Sequence, residues 1–195
     1  MARRDTREAL LEAGVELFLQ GGYDFTGTST ILERARVPRG SFYHHFADKR
    51  DFALAVATHY YDRHLPFMDS FLADESMDPL ARLRAYFHGL RGTFKKQQWR
   101  GGCLLALLSQ ELADRDDKAR DTLASLFGRW RHGIASCLRE AQARKQVDPD
   151  VDVEALAAFL LDGWEGALIQ MKLRKSGAPL DGFIRMAFEH VLPGG

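Results

Sequence analysis

Apolar residues recur every three or four positions along nearly the whole chain, and this spacing restricts the fold more than any other feature of the sequence. In the first segment Leu10, Ala13 and Leu17 follow it, which places them on one side of an α-helix. No stretch sustains the alternation of apolar and polar residues that marks a half-buried β-strand. The sequence therefore predicts an all-α fold of about nine helices.

Glycine, proline and acidic residues mark where the helices begin and end. Asp5, Thr28 and Asp48 are predicted to cap three helix N-termini, because short polar side chains accept hydrogen bonds from the first backbone amides. Gly21-Gly22 is predicted to end the first helix, and Pro66 to kink the fourth. The predicted helices cover about residues 5–20, 28–35, 39–45, 48–73, 80–98, 103–113, 117–145, 152–175 and 180–192.

Acidic and basic residues balance in number but are unevenly distributed. The chain has 27 lysines and arginines and 27 aspartates and glutamates, so its net charge gives no indication of a nucleic-acid partner. Residues 34–50, however, contain five basic side chains and one acidic side chain, with His44 and His45 among them. Such a segment is typical of a phosphate-binding surface and equally of a solvated helix face, so charge alone leaves both interpretations open.

The sequence shows no sign of secretion or of a membrane segment. Its longest apolar runs, residues 104–108 and 155–161, are much shorter than the about 18 residues that cross a bilayer. The N-terminus has no apolar core of a signal peptide. Two cysteines, Cys103 and Cys137, are too few for a disulfide framework. We therefore expect a cytoplasmic protein that makes no contact with a membrane.

Two short helices joined by a tight turn and braced by a longer first helix predict a helix-turn-helix unit. In the second short helix Phe42 and Phe46 are four residues apart, so both face the core and anchor the helix. Glycine and serine at its start allow the backbone to approach base edges, and Arg39 can reach a guanine or a phosphate. The residues left to face outward are Arg39, Gly40, Ser41, Tyr43 and His44.

The stretch from Thr28 to Lys49, TSTILERARVPRGSFYHHFADK, resembles the signature of the TetR family of transcription regulators. The resemblance extends over about residues 5–60 and is most specific in the FYHHF core and the lysine that follows it. The chain departs from the family at Arg36, where a glycine usually precedes the valine of the turn. An arginine there is strained if the position requires a positive φ.

The resemblance implies a DNA-binding domain over residues 1–50 and a ligand-binding and dimerisation domain over residues 51–195, linked by helix four at about residues 48–73. The expected partner is a double-stranded operator with an inverted repeat, bound by a homodimer. Thr28 and Ser29 are expected to contact phosphates and flanking bases, and Lys49 to grip a phosphate. Residues expected in groove and phosphate contacts are Arg39, Gly40, Ser41, Tyr43 and His44.

In TetR-like proteins the last two helices pair with a second subunit, and the helices before them form a ligand pocket. Small residues such as Gly163 and Ala167 would permit close approach between paired helices, although an apolar stripe also fits an internal core. The residues expected to sense a small-molecule effector are Phe87, Trp99, Cys103, Trp130, Trp164 and Met171. Each of them also fits ordinary core packing.

The segments GGCLL at 101–105 and GWEGAL at 163–168 are similar to the NemR-like branch of the family. Some of those regulators sense electrophiles or oxidants through a cysteine at the place of Cys103. A thiol in the first turn of a helix is expected to favour the thiolate, whereas most cysteines outside disulfides behave as small buried apolar groups. Both interpretations of Cys103 stay open, and Cys137 is expected to be ordinary core.

Enzyme and scaffold functions are the alternatives to a regulator. No histidine has a glutamate three residues before it, and neither G-x-x-x-x-G-K-[ST] nor G-x-G-x-x-G occurs, so the motifs of di-iron and nucleotide sites are absent. Cys103 with His88 is a conceivable nucleophile–base pair, without a third group to orient it. We expect no catalytic residue, metal or cofactor. We expect a transcription regulator released from DNA by a small-molecule or thiol-reactive effector. The family resemblance favours a repressor, although the sequence leaves activation open.

Overall fold

The computed structural model describes residues 6–192, and within them the chain forms nine α-helices and no β-strand. The helices are α1 Thr6–Gly21, α2 Thr28–Ala35, α3 Gly40–His45, α4 Lys49–Leu72, α5 Pro79–Lys96, α6 Leu104–Leu112, α7 Asp117–Ala143, α8 Val153–Arg174 and α9 Ala178–Met186. A π-helical turn, Ala187–Val191, follows α9. The predicted all-α fold is confirmed. Asp5, predicted to cap the first helix, lies outside the described residues.

The predicted cap of α4 is confirmed, and the predicted cap of α2 is wrong. The Asp48 carboxylate accepts a hydrogen bond from the Asp51 amide at 2.7 Å, and the Asp51 carboxylate accepts one from the Ala47 amide at 3.2 Å. Thr28 is the first residue of α2 rather than its cap. Gly27 takes the extended N-cap conformation there, and no side chain caps the helix, because glycine at this position has no polar side chain to offer.

Helix α6 begins one residue later than predicted, which removes Cys103 from its first turn. Cys103 is the N-cap residue, with an extended φ of −84° and ψ of 122°, and its carbonyl accepts the Leu107 amide at 3.1 Å. Before it, Gln98, Trp99 and Gly101 have φ values of 55°, 59° and 85°. These left-handed residues end α5 and turn the chain, since a right-handed helix cannot continue through them.

The chain divides into two compact units that do not follow chain order. Unit 1 contains the described residues up to His64 together with Cys103–Leu126, and unit 2 contains Leu65–Gly102 together with the described residues from Phe127 onward. Each of α4 and α7 therefore contributes residues to both units. In the described residues no helix combines the length and apolarity that crossing a bilayer requires.

Unit 1 is built around the ring of Phe52 in α4. Its centroid lies 5.9 Å from Phe18 of α1, 5.2 Å from Phe42 of α3 and 4.9 Å from Phe46, which follows α3. All four rings are buried, and aromatic pairs at these separations attract beyond the burial of their surfaces. A single side chain therefore holds the first, third and fourth helices together.

Unit 2 has its own aromatic core. The Phe87 ring of α5 lies 5.3 Å from Trp164 of α8 and 5.2 Å from Phe183 of α9. Arg82 is also buried, and its guanidinium donates to the Leu72 carbonyl at 2.7 Å. An ion pair with Glu140 compensates the buried charge, as a buried guanidinium requires.

Candidate nucleic-acid interface

Helix α3 has one buried face and one exposed face. Phe42 is completely buried and Phe46 is 3% exposed, so these two side chains fix the helix to unit 1. On the opposite face Tyr43 is 64% exposed. Of the other residues expected to contact DNA, Ser41 is half-buried, and the exposed ones are Arg39, Gly40 and His44. The predicted division between anchoring and outward-facing residues is confirmed.

The turn between α2 and α3 contains a left-handed arginine. Arg36 has φ 57° and ψ 45°, and it forms the C-cap of α2. Its amide donates to the Glu33 carbonyl at 3.1 Å, and the Val37 amide donates to the Leu32 carbonyl at 3.1 Å, the pattern that commonly ends a helix at a glycine. The position does require a positive φ, so Arg36 carries the strain of a side chain in this region.

Two of the five basic side chains between residues 34 and 50 are neutralised by neighbours. Arg34 pairs with Glu16 of α1, and Arg50 pairs with Asp116 at 2.5 Å. Arg36 and Arg39 form no ion pair with any described residue. The positive charge available to a phosphate is thus concentrated at the turn before α3 and at its first residues.

The N-termini of α2 and α4 hold the other expected contacts. Thr28 is half-buried and Ser29 is exposed. The Lys49 ammonium lies 4.2 Å from the centroid of the Tyr23 ring and donates to the Asp24 carbonyl at 3.4 Å. Burial lowers the pKa of Lys49, against the opposing charges of Asp24 and Glu111.

The turn between α1 and α2 is held by residues from α6 and the segment after it. The Glu111 carboxylate accepts the Tyr23 amide at 2.7 Å and the Asp24 amide at 3.4 Å. Arg115 forms an ion pair with Asp24 at 2.8 Å. Sequence reasoning missed Glu111 and Arg115, because the turn contains no local signal for partners about 90 residues away in sequence.

Three of the proposed effector-sensing residues lie in the core of unit 2. Phe87 and Trp164 are neighbours in the aromatic core described above, and Met171 is fully buried on α8. Trp130 of α7 donates its indole N–H to the Tyr86 hydroxyl at 2.7 Å. Tyr86 in turn lies 5.5 Å from Phe87, so Trp130 joins the same cluster through one intermediate ring.

The contacts of Trp99 are separate from those of that aromatic cluster. Its ring approaches Gly177 so closely that a Cβ there would lie 2.4 Å from it. The Arg91 guanidinium lies 5.3 Å from the ring centroid and also pairs with Asp181 at 2.5 Å. The structure thus gives Trp99 a packing role at the turn between α8 and α9.

The two cysteines differ in environment. Cys103 belongs to unit 1 and is 6% exposed at the start of α6. Cys137 is buried in α7, and its thiol donates to the Pro79 carbonyl at 3.1 Å. Burial raises the pKa of Cys137 to about 11, despite the opposing charge of Arg82. Cys137 is therefore protonated near neutral pH and inert as a nucleophile.

Large apolar side chains are exposed on the last two helices. On α8 Phe159, Ile169 and Leu173 are 56%, 54% and 72% exposed. Phe159 and Leu173 are fourteen residues apart, about four helical turns, and Ile169 lies about one turn before Leu173, so all three are on one side of the helix. Met186 at the end of α9 is 51% exposed, and Val191 is 43% exposed. We name these five residues the apolar face of α8 and α9.

Comparison with known protein families gives two matches along the chain. Residues 10–56 match the family described as bacterial regulatory proteins, tetR family. Residues 79–187 match the family described as tetracyclin repressor-like, C-terminal domain. The first match contains most of α1, all of α2 and α3 and the start of α4, and the second contains all of α5–α9.

Relatives and a solved structure match over almost the full length. The HTH-type transcriptional repressor DhaR of Mycobacterium sp. (strain GP1) is 35% identical over 193 residues, covering 99% of this chain and 96% of the relative. The HTH-type transcriptional repressor NemR of Escherichia coli (strain K12) is 30% identical over 185 residues, covering 91% and 89%. The crystal structure of regulatory protein TetR from Rhodobacter sphaeroides is 37% identical with a TM-score of 0.89, covering 95% of this chain and 98% of that chain.

Proposed function

Because the chain belongs to the TetR family of bacterial transcription regulators, we propose that it is a cytoplasmic repressor that binds an inverted-repeat operator as a homodimer and leaves it when an effector binds. Family membership makes it a DNA-binding regulator rather than an enzyme. The observation that carries the proposal is α3, which is anchored by Phe42 and Phe46 while Tyr43 is 64% exposed. A helix held in this way suits insertion into the major groove.

We assign operator contact to residues 1–50, and effector binding and dimerisation to residues 51–195. Arg39, without an ion-pair partner among the described residues, is the side chain suited to a bidentate contact with guanine. Gly40 and Ser41 let the helix backbone approach the bases, and Tyr43 and His44 extend the contact along the groove. Thr28 and Ser29 would hold the DNA backbone beside the groove.

Lys49 would supply the phosphate contact at the start of α4. An ammonium has three N–H donors, and the Asp24 carbonyl accepts only one of them at 3.4 Å. The Asp51 amide is already bonded to the Asp48 carboxylate. The lysine side chain, rather than that amide, is therefore the donor that a phosphate would meet at this helix end.

The apolar face of α8 and α9 would form the dimer interface. Stable protein–protein interfaces bury roughly 800 Å² on each partner, and their buried centres are apolar and enriched in aromatic residues and methionine. Gly166 lies on the same side of α8, and a Cβ added there would meet nothing within 4 Å. A second α8 can therefore approach closely at this point. Pairing would also place two α3 helices on one palindrome.

The effector would bind among the aromatic residues of unit 2. Phe87, Trp130, Trp164 and Met171 supply apolar and aromatic surface of the kind that lines small-molecule sites. Trp99, packed on Gly177, would close the neighbouring turn. An effector that prefers the DNA-free state by a factor of about 10⁴ would convert the regulator from mostly bound to mostly released.

A thiol-reactive effector at Cys103 is a second candidate signal. Cys103 begins α6, and Glu111 near the end of the same helix accepts the Tyr23 and Asp24 amides. An adduct on the buried Cys103 thiol cannot be absorbed in a close-packed interior, so it would displace α6. The displacement would reach the turn between α1 and α2 through Glu111.

Selection and mutation together test the operator proposal. A duplex selected by the wild-type protein from a random pool is titrated with wild type, Arg39→Ala, Lys49→Ala and Arg131→Ala. Arg39→Ala should weaken binding by about 1–3 kcal/mol and relax the preference at one base. Arg131 is exposed on α7, so its variant is the control for loss of positive charge. Equal affinity for all four proteins would contradict the assignment of α3.

A further inference from the structure

Phe25 has the most exposed large apolar side chain within residues 6–192, with 90% of its surface open to solvent. It lies in the turn between α1 and α2. The residues beside it in the turn, Asp24, Thr26 and Gly27, carry no large apolar side chain. Tyr23, two residues earlier, is half-buried, so Phe25 is the exposed large apolar side chain of an otherwise polar turn, unlike the apolar face of α8 and α9.

The turn that carries Phe25 is fixed on both sides of the ring. Gly22 has a φ of 81°, and the next two amides donate to Glu111. On the other side Thr26 is buried, and its hydroxyl donates to the Gly22 carbonyl at 2.6 Å. A ring in such a turn is presented outward by its backbone, because the neighbouring residues cannot rotate to bury it.

The same turn is continuous with both proposed phosphate contacts. The Lys49 ammonium donates to the carbonyl of Asp24, the residue immediately before Phe25. Thr28, at the start of α2, is three residues after it. A DNA backbone held by Thr28 and Lys49 would therefore pass beside the Phe25 ring.

Building on the proposed function, we propose that Phe25 is a further DNA contact, whose ring packs against the deoxyribose groups of the backbone held by Thr28 and Lys49. Phosphates offer an aromatic ring nothing to pair with, whereas the sugars between them present C–H groups. An apolar partner protein would need a wider apolar patch than one ring provides. Contact with sugars is independent of base sequence, so Phe25 would strengthen binding to every duplex alike.

The salt dependence of binding distinguishes this contact from an ionic one. Neutralising a phosphate releases counterions and steepens the fall of affinity with salt, whereas an apolar contact does not. Affinities of wild type, Phe25→Ala, Lys49→Ala and Arg39→Ala are measured between about 50 and 300 mM KCl, with the selected duplex and with a scrambled duplex of equal length. Met77→Ala, which truncates another exposed apolar side chain, is the control.

Phe25→Ala is expected to weaken binding to both duplexes by roughly 5- to 30-fold, as for partial burial of a phenylalanine ring, with the wild-type salt slope. Lys49→Ala should lower the slope by about one. The thermal midpoint of Phe25→Ala should equal that of wild type, since the exposed ring supports no core. Phe25→Leu should retain most of the affinity.

Four results would overturn the contact. Wild-type affinity of Phe25→Ala at every salt concentration, with Arg39→Ala and Lys49→Ala weakened, would refute it while leaving the proposed function intact. A salt slope lowered by the Phe25 variant would mean that it acts through Lys49. If Phe25→Ala abolished cooperative binding of two dimers to one duplex but left the affinity of a single dimer for DNA unchanged, the ring would contact a second copy of the protein instead of DNA. Unchanged binding in all three variants would refute both proposals.

Discussion

Replacing Gly14 by alanine is expected to destabilise unit 1, although alanine is the better helix former. Gly14 lies inside α1, facing α4. A Cβ at this position would lie 2.5 Å from Cγ2 of Val56 and 2.6 Å and 2.9 Å from two ring atoms of Phe52. All three distances are far below van der Waals contact. Either α1 must move away from α4 or these side chains must leave their positions.

Neither side chain can move easily. Val56 is buried, and a β-branched residue in a helix has one strongly preferred rotamer. The Phe52 ring is confined by Phe18, Phe42 and Phe46, at 5.9, 5.2 and 4.9 Å. Overpacking of this kind costs about 1–3 kcal/mol, and three simultaneous clashes favour the upper end. The higher helix propensity of alanine offsets about 1 kcal/mol of this cost, so we expect the free energy of unfolding to fall by about 2 kcal/mol.

Gly92→Ala is the matched control for this prediction. Gly92 also lies inside a helix, α5, but a Cβ there would meet nothing within 4 Å. The same substitution should therefore stabilise the protein by about 0.5–1 kcal/mol. The two variants differ only in what surrounds the new methyl group, so opposite signs are expected.

Urea denaturation followed by circular dichroism measures both effects at one protein concentration, because the stability of a dimer depends on concentration. DNA binding by Gly14→Ala should also weaken, since displacement of Phe52 loosens the rings that anchor α3. A Gly14→Ala midpoint equal to or above that of Gly92→Ala would refute the packing argument.

Four further predictions concern other contacts. Leu173→Glu should yield a monomer in analytical ultracentrifugation and abolish operator binding, whereas Arg131→Glu, exposed on α7, should remain dimeric; a dimeric Leu173→Glu would exclude the apolar face as the interface. Cys137 should resist iodoacetamide at pH 8 in the folded protein because burial raises its pKa to about 11. A quinone that releases wild type from DNA should leave Cys103→Ser bound, and equal release of that variant would shift the proposed effector site to the aromatic residues of unit 2. Burial lowers the pKa of His64 from 6.5 to about 4, so between these pH values the unfolded chain binds a proton that the folded chain excludes. The free energy of unfolding should therefore fall by up to about 3 kcal/mol as the pH drops from 6.5 to 4. His64→Gln should flatten this part of the plot of unfolding free energy against pH, and a plot parallel to that of wild type would contradict the role of His64.

Local features were predictable from the sequence because they depend on neighbouring residues. The Asp48 cap and the anchoring of α3 by Phe42 and Phe46 follow from residues within a few positions of one another. Predictions failed where a single backbone conformation decides the boundary. Thr28 was expected to cap α2, but Gly27 occupies the N-cap position there. Cys103 precedes α6 rather than lying in its first turn.

The sequence by itself determined an all-α chain with a helix-turn-helix unit, since helical periodicity and turn chemistry are local properties. Only the tertiary structure decided which basic groups stay available to DNA. Arg34 and Arg50 are neutralised by Glu16 and Asp116, whereas Arg39 has no such partner among residues 6–192. Ion pairing depends on distances of a few ångströms between residues far apart in the chain, and those distances exist only once the helices have packed.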